Sequence, residues 1–521
     1  GASYAIALTT EIEDTNGNAL APSSTYAAVK ADMTTSPIVS PELDDSVLTE
    51  AQQGIKFLQA LTNNFENTLA QAPLNAVKKD IVYTQVFTVQ SAGVPATDPL
   101  QITKLLSAQQ FAAKAAMDQT SVLTAIIPTG MTAAEKLIER GDLDAMSPDD
   151  ASAIGLLSAA NLYQASLEVP YYLETPTTGH PLMGRWEAAC DSGIILGQLP
   201  AEILATGTPG ANHELCASLP TPLADLGFDT QRHLTKYNPV PKTKSLETIP
   251  VQITMPNLTV ANGVRASLGL PANLAKPDNG WPVVMLQHGI TSRKENMLSL
   301  TGLLSAFGFA TAAIDHPLHG ERGFSVTEGE ATMVYNATSD VEGSSATHYL
   351  NLSSLLTARD NLRQSAADSL QLRLALNATV DMSNPMAPDI KAIDPSKVHY
   401  LGHSLGAITG TNFAAVANTP ANTGDSLTDA AIDASYKINS VVLANPGASI
   451  GNFLLESKSF GPLVQAMVAY GASADVKAAV DLLLEPAALG EVVTASLTSE
   501  TPDAACQAVA AATAQGKIDQ A

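Results

Sequence analysis

Hydrophobic and polar residues follow two different rhythms along the chain, and the change comes at about residue 246. The part before this point mixes helical spacing with strand-like alternation and is predicted as an α+β region. Its predicted strands are 3–9, 80–90 and 165–173, and its predicted helices are 43–71, 101–117 and 147–164. Residues 174–245 are rich in Gly, Pro and Thr and are predicted as long loops and a linker.

After residue 246, short apolar runs alternate with segments of helical spacing. The predicted strands are 248–255, 282–287, 309–315, 397–401 and 438–444, and the predicted helices between them include 346–374 and 405–417. The run PVVMLQ is apolar throughout, as expected of a strand that is covered on both faces of a parallel sheet. This alternation predicts an α/β domain with a mostly parallel sheet and flanking helices.

The two rhythms predict two parts of the chain, 1–245 and 246–521. The first is expected to hold the end of a β-rich domain, followed by helices and long loops. The second is expected to lack its last strands, because 450–521 is helical and apolar-rich without a clear strand. Its apolar side chains suit either a lid over an acyl pocket or ordinary helix packing, and they are Leu454, Leu455, Leu463, Val464, Met467 and Val468.

The charge of the chain excludes one class of partner. The 521 residues include 27 Lys and Arg against 51 Asp and Glu, giving a formal net charge of -24 at pH 7. Phosphate backbones and anionic membranes repel such a polyanion, so nucleic-acid binding is not expected. The sequence holds no uncharged apolar stretch of about 18 residues, which a membrane-spanning helix would need. It implies no cofactor and no stable protein partner.

Three cysteines leave two interpretations open. Cys190 and Cys216 flank a Gly- and Pro-rich stretch and could close it as a disulfide, which would leave Cys506 without a partner. Three buried free thiols are the alternative. A disulfide would place the protein in an oxidising compartment.

Two short patterns suggest metal ligands, and each has a simpler interpretation. Asp14, Asn16 and Asn18 suggest calcium, but no Glu closes a loop downstream, so a turn is favoured. His316 and His319 form a His-x-x-His pair on a Pro- and Gly-containing loop rather than on one helix face. We expect them to line the rim of a site or to brace a loop, and we expect no metal.

The strongest chemical signal is the pentapeptide GHSLG at 402–406. A predicted strand (KVHYL) leads into it and a predicted helix follows at once, which is the nucleophile-elbow pattern of the α/β-hydrolase fold. Gly402 and Gly406 are expected to allow strand and helix to approach closely. Ser404 is therefore the predicted nucleophile, at a helix N-terminus where free N–H groups favour a developing oxyanion.

The loop after the apolar strand is the predicted partner of this elbow. In these folds one oxyanion-hole N–H comes from that loop and the other from the residue after the nucleophile, which here are Ile290 and Leu405. Gly289 belongs to the same loop. His288 is expected to support the loop through a hydrogen bond rather than to act in catalysis.

The expected acid and base are missing. The triad order in this fold is serine, then Asp or Glu, then histidine, yet no histidine follows His403. An inactive enzyme, a base upstream of Ser404, and a chain that stops before its last strands are the three explanations. The absent strands, the spare Cys506 and the abrupt start favour the third, so residues 1–521 alone are expected to be essentially inactive.

Several segments together resemble the bacterial Pla-1/VolA-type extracellular lipases, also called virulence-factor lipases. They are SYAIALTTEIEDTNGNALAPSSTY, YTQVFTVQS, LEVPYYLETP, TIPVQITMPN, LQHGITSRKENM, AIDHPLHGERG and YLGHSLGAITGT. The resemblance implies an exported, often surface-anchored lipase, phospholipase or lysophospholipase that meets lipid surfaces. It also implies a β-rich region before residue 1, and an Asp and a His after residue 521. Only Ser404 and the two oxyanion positions carry over to this sequence.

Competing functions stay open at this level. The favoured one is a serine carboxylic-ester hydrolase that acts on lipid substrates at the bacterial cell surface or outside the cell. A catalytically inactive hydrolase scaffold that serves as a surface binding module is the second. A short-chain esterase or thioesterase with the same elbow is the third, because a fold and a nucleophile do not fix the substrate.

Overall fold

The computed structural model divides the chain into two compact units, residues 1–93 and 94–521. The residues that the structure describes are 3–14, 17–40, 43–44, 48–71, 80–88, 102–107, 123, 125–219, 222–235, 237–328, 331–447, 456–457 and 461. The predicted lid-like segment 450–521 lies almost wholly outside them, as do Cys506 and most of the predicted helix 101–117.

The first unit pairs its two predicted strands with each other. Strand β1 (Ser3–Thr9) lies antiparallel to β2 (Ile81–Thr88), and helices α1 (Ser24–Lys30) and α2 (Glu50–Gln71) come between them in the chain. The predicted turn at Asp14 is confirmed, because the Asp14 carboxylate accepts hydrogen bonds from the backbone and side-chain N–H groups of Asn18. Asn16, the second of the three residues in the possible calcium pattern, is outside the described residues.

The second unit contains the rest of the described secondary structure. Its strands are β3 (Ile127–Thr132), β4 (Ala160–Tyr171), β5 (Ser245–Pro256), β6 (Trp281–Gln287), β7 (Ala310–Ala313), β8 (Phe324–Glu328), β9 (Ala331–Tyr335), β10 (Ile393–His403) and β11 (Ser440–Ala444). Its α-helices are α3 (Ala133–Glu139), α4 (Ala151–Leu157), α5 (Gly193–Gln198), α6 (Ala201–Leu204), α7 (His213–Ala217), α8 (Leu258–Ser267), α9 (Thr301–Ala306), α10 (Ala346–Tyr349), α11 (Leu355–Ala375), α12 (Leu405–Asn418) and α13 (Ser426–Tyr436). Three 3₁₀ helices are Lys294–Leu300, Gly320–Arg322 and Leu376–Ala378.

A seven-stranded mixed sheet organises the second unit, in the order β11-β10-β6-β7-β5-β4-β3. Strands β11, β10, β6 and β7 are parallel, whereas β5, β4 and β3 are each antiparallel to the strand before them in this order. The α/β class is therefore confirmed, and the sheet is mixed rather than mostly parallel. Strands β8 and β9 form a separate antiparallel pair.

The structure joins residues on both sides of the boundary predicted after residue 245. Strand β4, from the predicted N-terminal part, pairs with β5 along its whole length, from Ala160 opposite Pro256 to Tyr171 opposite Ser245. A domain boundary cannot run between two adjacent strands of one sheet, because their backbone hydrogen bonds would be broken. The division found at 93 and 94 therefore replaces the predicted one.

The predicted helix 147–164 is correct only in part. Helix α4 ends at Leu157, and β4 begins at Ala160. Buried positions in β4 are 160, 162, 165, 167 and 169–171, so the alternation expected of a strand is interrupted near its start and lost at its end. Pairing with β5 overrides the local preference, and no strand signal precedes residue 165.

Helix α11 is buried along most of its length although it is rich in polar residues. Its polar groups bind the loops around it, and two of these contacts join distant parts of the chain. Asp360 accepts a hydrogen bond of 2.9 Å from the backbone N–H of Trp186, and Asp368 forms an ion pair of 2.7 Å with Arg322. The single helix predicted at 346–374 is therefore wrong in part, because residues 350–354 separate α10 from α11. The buried polar contacts explain why α11 has no clear apolar face. Within the described part of the chain, no helix is long and apolar enough to cross a membrane.

The predicted pairing of Cys190 with Cys216 is present as a disulfide. Both residues are fully buried, their Cα atoms are 5.7 Å apart, and they are separated by 26 residues of sequence. They belong to a small apolar cluster that includes Ile102, Ala189 and Val240. The bond therefore ties the loop-rich segment between β4 and β5 to itself.

Removing this disulfide is expected to lower the free energy of unfolding. Closing a loop of this length restricts the unfolded chain by about 3 kcal/mol, so a Cys190→Ala/Cys216→Ala double variant should lose roughly that amount. Denaturation followed by tryptophan fluorescence measures it, because both tryptophans of the chain, Trp186 and Trp281, are in the second unit. Titration of the native wild-type protein should find one free thiol, from three cysteines less two, and three free thiols would contradict the bond.

Candidate active site

Backbone strain collects at one edge of the sheet. The described non-glycine residues with positive φ are Arg232 (50°), Thr291 (61°), Leu318 (57°), Ser404 (52°) and Asn445 (55°). The last four follow the carboxyl ends of the four parallel strands β6, β7, β10 and β11. Such residues are uncommon outside functional sites, because a side chain in this conformation strains the backbone. The carboxyl edge of the parallel strands is therefore the candidate site.

Ser404 occupies the predicted strand-to-helix junction. It follows β10 and precedes α12 with φ 52° and ψ -114°, and its N–H donates a hydrogen bond of 2.9 Å to the carbonyl of Ala444. Its own carbonyl accepts from the Ala407 and Ile408 N–H groups at the start of the helix. The serine side chain is therefore held on a sharp, strained turn, which is the geometry of a nucleophile elbow.

Glycines make this turn possible, as predicted for Gly402 and Gly406. A Cβ atom on Gly402 would overlap the carbonyl of Gly406, and a Cβ on Gly406 would overlap the carbonyl of Gln287. One turn later, a Cβ on Gly410 would overlap the ring of Tyr400, whose hydroxyl donates a 2.7 Å hydrogen bond to the Gly406 carbonyl. Backbone atoms occupy the space that a side chain would need at Gly402 and Gly406, and an aromatic ring occupies it at Gly410.

The loop after β6 lies directly beside the serine. A Cβ built on Gly289 would be 3.2 Å from the Cβ of Ser404 and 3.3 Å from Nδ1 of His403. Among the described residues, the N–H groups of Ile290 and Leu405 have no hydrogen-bond acceptor. The structure thus brings together the loop and the helix start that were predicted to supply the two oxyanion donors.

His288 and His316 are buried behind this loop and hydrogen-bond to each other. His288 Nδ1 is 2.8 Å from the Gly289 carbonyl oxygen, and His288 Nε2 accepts a hydrogen bond from the His316 N–H at 3.0 Å. His316 Nε2 is 3.1 Å from the His288 carbonyl oxygen, and His316 Nδ1 is 2.9 Å from the Ser365 hydroxyl. His288 therefore supports the loop, as predicted, and His316 does so as well.

His319 packs against the same rings. Its Nδ1 is 2.9 Å from the Pro317 carbonyl oxygen, while its buried Nε2 has no hydrogen-bond partner within the described residues. Its ring lies 5.1 Å from that of Tyr349 and 5.2 Å from that of His288. In the described part of the chain, no group of three or more potential metal ligands occurs. His319 Nδ1 thus contacts the backbone of the loop that follows β7.

Burial keeps these three imidazoles neutral. Loss of solvent lowers the pKa of His288 and of His319 to about 3, and it also lowers the pKa of His316 well below its usual value. His288 Nε2 is 3.6 Å from Asp315 Oδ1, but a neutral ring makes this a polar contact rather than an ion pair. The cluster contributes fixed dipoles, and no charge, to the site.

Asp315 joins the two loops that surround the cluster. Its buried carboxylate accepts hydrogen bonds from the Lys294 N–H at 2.7 Å and from the Lys294 Nζ at 3.0 Å. It also accepts one from the Glu321 N–H at 3.3 Å, and its carbonyl accepts one from Arg322 at 2.8 Å. The loop after β6 is thereby fixed to the loop after β7.

Three of these supporting residues were not singled out from the sequence. The position of Asp315, close after the buried strand β7 and next to His316, was a usable signal. Ser365 and Tyr349 lie on helices α11 and α10, and their hydroxyls are 2.7 Å apart. Nothing in a helical pattern distinguishes such hydroxyls from ordinary surface residues, so no sequence signal pointed to them.

An apolar wall stands next to the serine. Buried Leu405, Tyr349 and Ala337 form a cluster against which partly buried side chains pack, and these are Ile290, Leu350 and Leu362. A separate cavity of about 470 Å³ opens on β3, β4 and β5, and none of Ser404, Ile290 and Leu405 lines it. This cluster therefore places an apolar wall beside Leu405, the residue that directly follows the candidate nucleophile.

A proton acceptor for Ser404 is not found among the described residues. No hydrogen bond to the Ser404 hydroxyl is present within them, and both ring nitrogens of His288 and of His316 are occupied. No histidine occurs in the sequence after His403. The geometry thus provides a strained serine and a place for an oxyanion without identifying the base.

Known proteins show only weak similarity to the chain. No family model matches it, and no curated protein matches it. A ferulic acid esterase from Streptomyces cinnamoneus is 20% identical over 32% of this chain and 48% of its own length, with a TM-score of 0.19. A Klebsiella pneumoniae subsp. pneumoniae protein assigned as a dienelactone hydrolase is 12% identical over 44% of this chain and 94% of its own, with a TM-score of 0.20. Scores this low establish neither a fold nor a reaction for this chain.

The fit of the elbow can be tested with one methyl group. Gly406→Ala should lower the free energy of unfolding by several kcal/mol or prevent folding, because the added Cβ meets the backbone of Gln287 rather than a movable side chain. Gly263→Ala is the matched control, since Gly263 lies in helix α8 with nothing within 4 Å of the added Cβ. It should be neutral or stabilising by about 0.5–1 kcal/mol. Equal effects in thermal denaturation would contradict the close approach.

The buried imidazoles predict a loss of stability as the pH falls. Because their pKa values are lowered on folding, the native rings stay neutral while the unfolded chain binds protons below about pH 6.5. The stability that the neutral rings contribute is complete above about pH 6.5 and is lost progressively as the pH falls towards 3. Between pH 7.5 and 5, His288 and His319 should each reduce the free energy of unfolding by about 2 kcal/mol, and His316 should act in the same direction.

Urea denaturation followed by tryptophan fluorescence at several pH values measures this slope. His319→Gln should make the pH dependence smaller, because it removes one of the three buried rings. His233→Gln is the control, since His233 is exposed and should leave the slope unchanged. A free energy that stays constant from pH 7.5 to 5 would show that these rings are not buried neutral groups.

Proposed function

We propose that this protein is an α/β-hydrolase-type carboxylic-ester hydrolase in which Ser404 attacks the substrate carbonyl and forms an acyl-enzyme. One observation carries the proposal, namely the strained turn that holds Ser404 between β10 and α12 at φ 52°. A serine on such a turn stands clear of the sheet edge, where a substrate carbonyl can reach it. Water would then release the acyl group from the serine.

The two free N–H groups beside the serine suit the charge that develops during attack. As the carbonyl oxygen becomes negative, rigid donors from Ile290 and Leu405 would stabilise it without having to reorganise. Leu405 is the first residue of α12, so the positive end of the helix dipole adds to the effect. Ester and thioester hydrolysis both pass through such an oxyanion.

Lipid-like esters are the substrates that we propose. The apolar wall of Ile290, Leu350 and Leu362 adjoins Leu405, which directly follows the nucleophile. An acyl chain that lies along this wall would leave water, at about 0.8 kcal/mol for each buried CH₂ group. Membership of the virulence-factor lipase family and export to the cell surface belong to the same proposal. The Cys190–Cys216 disulfide supports export, because such bonds persist in oxidising compartments.

An inactive scaffold is the alternative function. It is favoured by the lack of an identified base, since the described residues give Ser404 no proton acceptor and a serine without one is a weak nucleophile. In this alternative, the strained turn would only maintain the shape of the fold, and the protein would serve as a surface binding module. A short-chain esterase or thioesterase is the narrower rival within the same chemistry.

Replacement of the nucleophile separates these functions. In the intact protein, Ser404→Ala should reduce kcat for hydrolysis of a chromogenic acyl ester by at least about a thousandfold, because the acyl-enzyme forms on this hydroxyl. A fluorophosphonate probe, which loses fluoride to an activated serine, should label Ser404 in the wild-type protein and nothing in the variant. Peptide mass spectrometry of the adduct identifies the labelled residue.

The control is Ser267→Ala, which changes an exposed serine at the end of helix α8 and should keep full activity. Hydrolysis that survives in Ser404→Ala would move the chemistry to another residue. Absence of both hydrolysis and labelling in the intact wild-type protein would favour the inactive scaffold. A series of acyl lengths tests the substrate, because a lipid hydrolase should prefer long chains and a short-chain esterase should prefer acetate.

A further inference from the structure

The proton positions on His288 follow from its partners. Nε2 receives the His316 N–H at 3.0 Å, and a backbone N–H can only donate, so Nε2 carries the lone pair. The single ring proton is then on Nδ1, which donates to the Gly289 carbonyl at 2.8 Å. The tautomer of His288 is thus fixed by His316.

His316 is ordered in the same way. Its Nε2 faces the His288 carbonyl at 3.1 Å, and a carbonyl can only accept, so the proton of this ring is on Nε2. Its Nδ1 must then accept from the Ser365 hydroxyl at 2.9 Å. His316 therefore makes two hydrogen bonds to His288. Its backbone N–H donates to the Nε2 of His288, and its ring Nε2–H donates to the His288 carbonyl.

The direction of one peptide group follows from this order. A trans peptide is planar, and its C=O and N–H point to opposite sides. No cis peptide bond occurs among the described residues. Because His288 holds the Gly289 carbonyl towards the buried cluster, the Ile290 N–H of the same peptide must point away from it. Gly289 adjoins Ser404, and this N–H has no acceptor among the described residues.

We propose that His288 and His316 are a proton-ordered pair of positioning residues, and that they aim the Ile290 N–H at the oxyanion formed during attack by Ser404. The proposal rests on the ester-hydrolase function given above and adds the origin of the oxyanion hole. His316, which the sequence placed only on a rim or a loop brace, becomes the residue that selects the tautomer. Burial, which lowers both pKa values, keeps the order intact at neutral pH.

Two amides of similar shape test the donor. In His288→Asn the side-chain amide sits near the position of Nδ1 and can still donate to the Gly289 carbonyl. In His288→Gln the amide sits near Nε2, so it can accept from the His316 N–H but cannot make the donor bond. We expect His288→Gln to lower kcat about 100- to 1,000-fold with KM little changed, as for the loss of one oxyanion donor, and His288→Asn to keep most of the activity.

His316 is tested in the same manner. His316→Gln retains a donor near Nε2 for the His288 carbonyl, whereas His316→Leu retains none. The first should stay within about tenfold of wild-type kcat, and the second should lose about 100-fold or more. Thermal denaturation of all four variants shows which of them fold. Equal kcat for the folded Asn and Gln variants of His288, or an effect on KM alone, would overturn the proposal.

A measurement on the wild-type protein does not depend on variant folding or on turnover. Nitrogen-15 chemical shifts of labelled histidine distinguish the two tautomers, and the variants assign the signals. Nδ1–H at His288 with Nε2–H at His316 is expected, and the reverse tautomer at either ring would overturn the proposal. Absence of ester hydrolysis in the intact wild-type protein, with the expected tautomers present, would instead refute the proposed function.

Discussion

The close approach of three backbone segments is the constraint on which the candidate site depends. These segments are the end of β6, the end of β10 and the first turn of α12. They meet at Gly402 and Gly406, where the neighbouring backbone leaves no room for a side chain. Protein interiors are too densely packed to yield to such an overlap, so the junction has one shape. That shape sets the strained φ of Ser404 and brings Gly289 against it. The candidate nucleophile and the candidate oxyanion donors are thus placed by the same contacts.

Around this junction the protein uses neutral dipoles where charges would be expensive to bury. His288, His316 and Ser365 exchange hydrogen bonds in an order that leaves each ring with one proton. An ionised group at the same depth would lose several kcal/mol of solvation. Charges are buried nearby only where they are paired, as in Asp315 with Lys294 at 3.0 Å. Hydrogen bonds between neutral groups therefore set the direction of the loop after β6, whereas an ion pair attaches this loop to the loop after β7.

Local sequence patterns predicted the elements that surround the site, and long-range pairing explains what they missed. The apolar run of β6 and the GHSLG turn depend on neighbours in the chain, so their places were predictable. Strand β4 depends on β5, which lies about 75 residues further along, and its first residues therefore looked helical. The boundary after residue 245 was wrong for the same reason. The ordering of His316 depends on a helix and two loops, which no local pattern could reveal.

The buried histidines also bear on which group could accept the proton of Ser404. A useful base has a pKa near the working pH, because it must take the proton during attack and release it afterwards. Burial lowers the pKa of His288 and of His319 to about 3, so protonation of either ring is unfavourable at neutral pH. Their rings are also committed to the Gly289 and Pro317 carbonyls. Under the proposed function these rings give direction to the loop, and the base has to be a group that keeps contact with solvent or with a carboxylate.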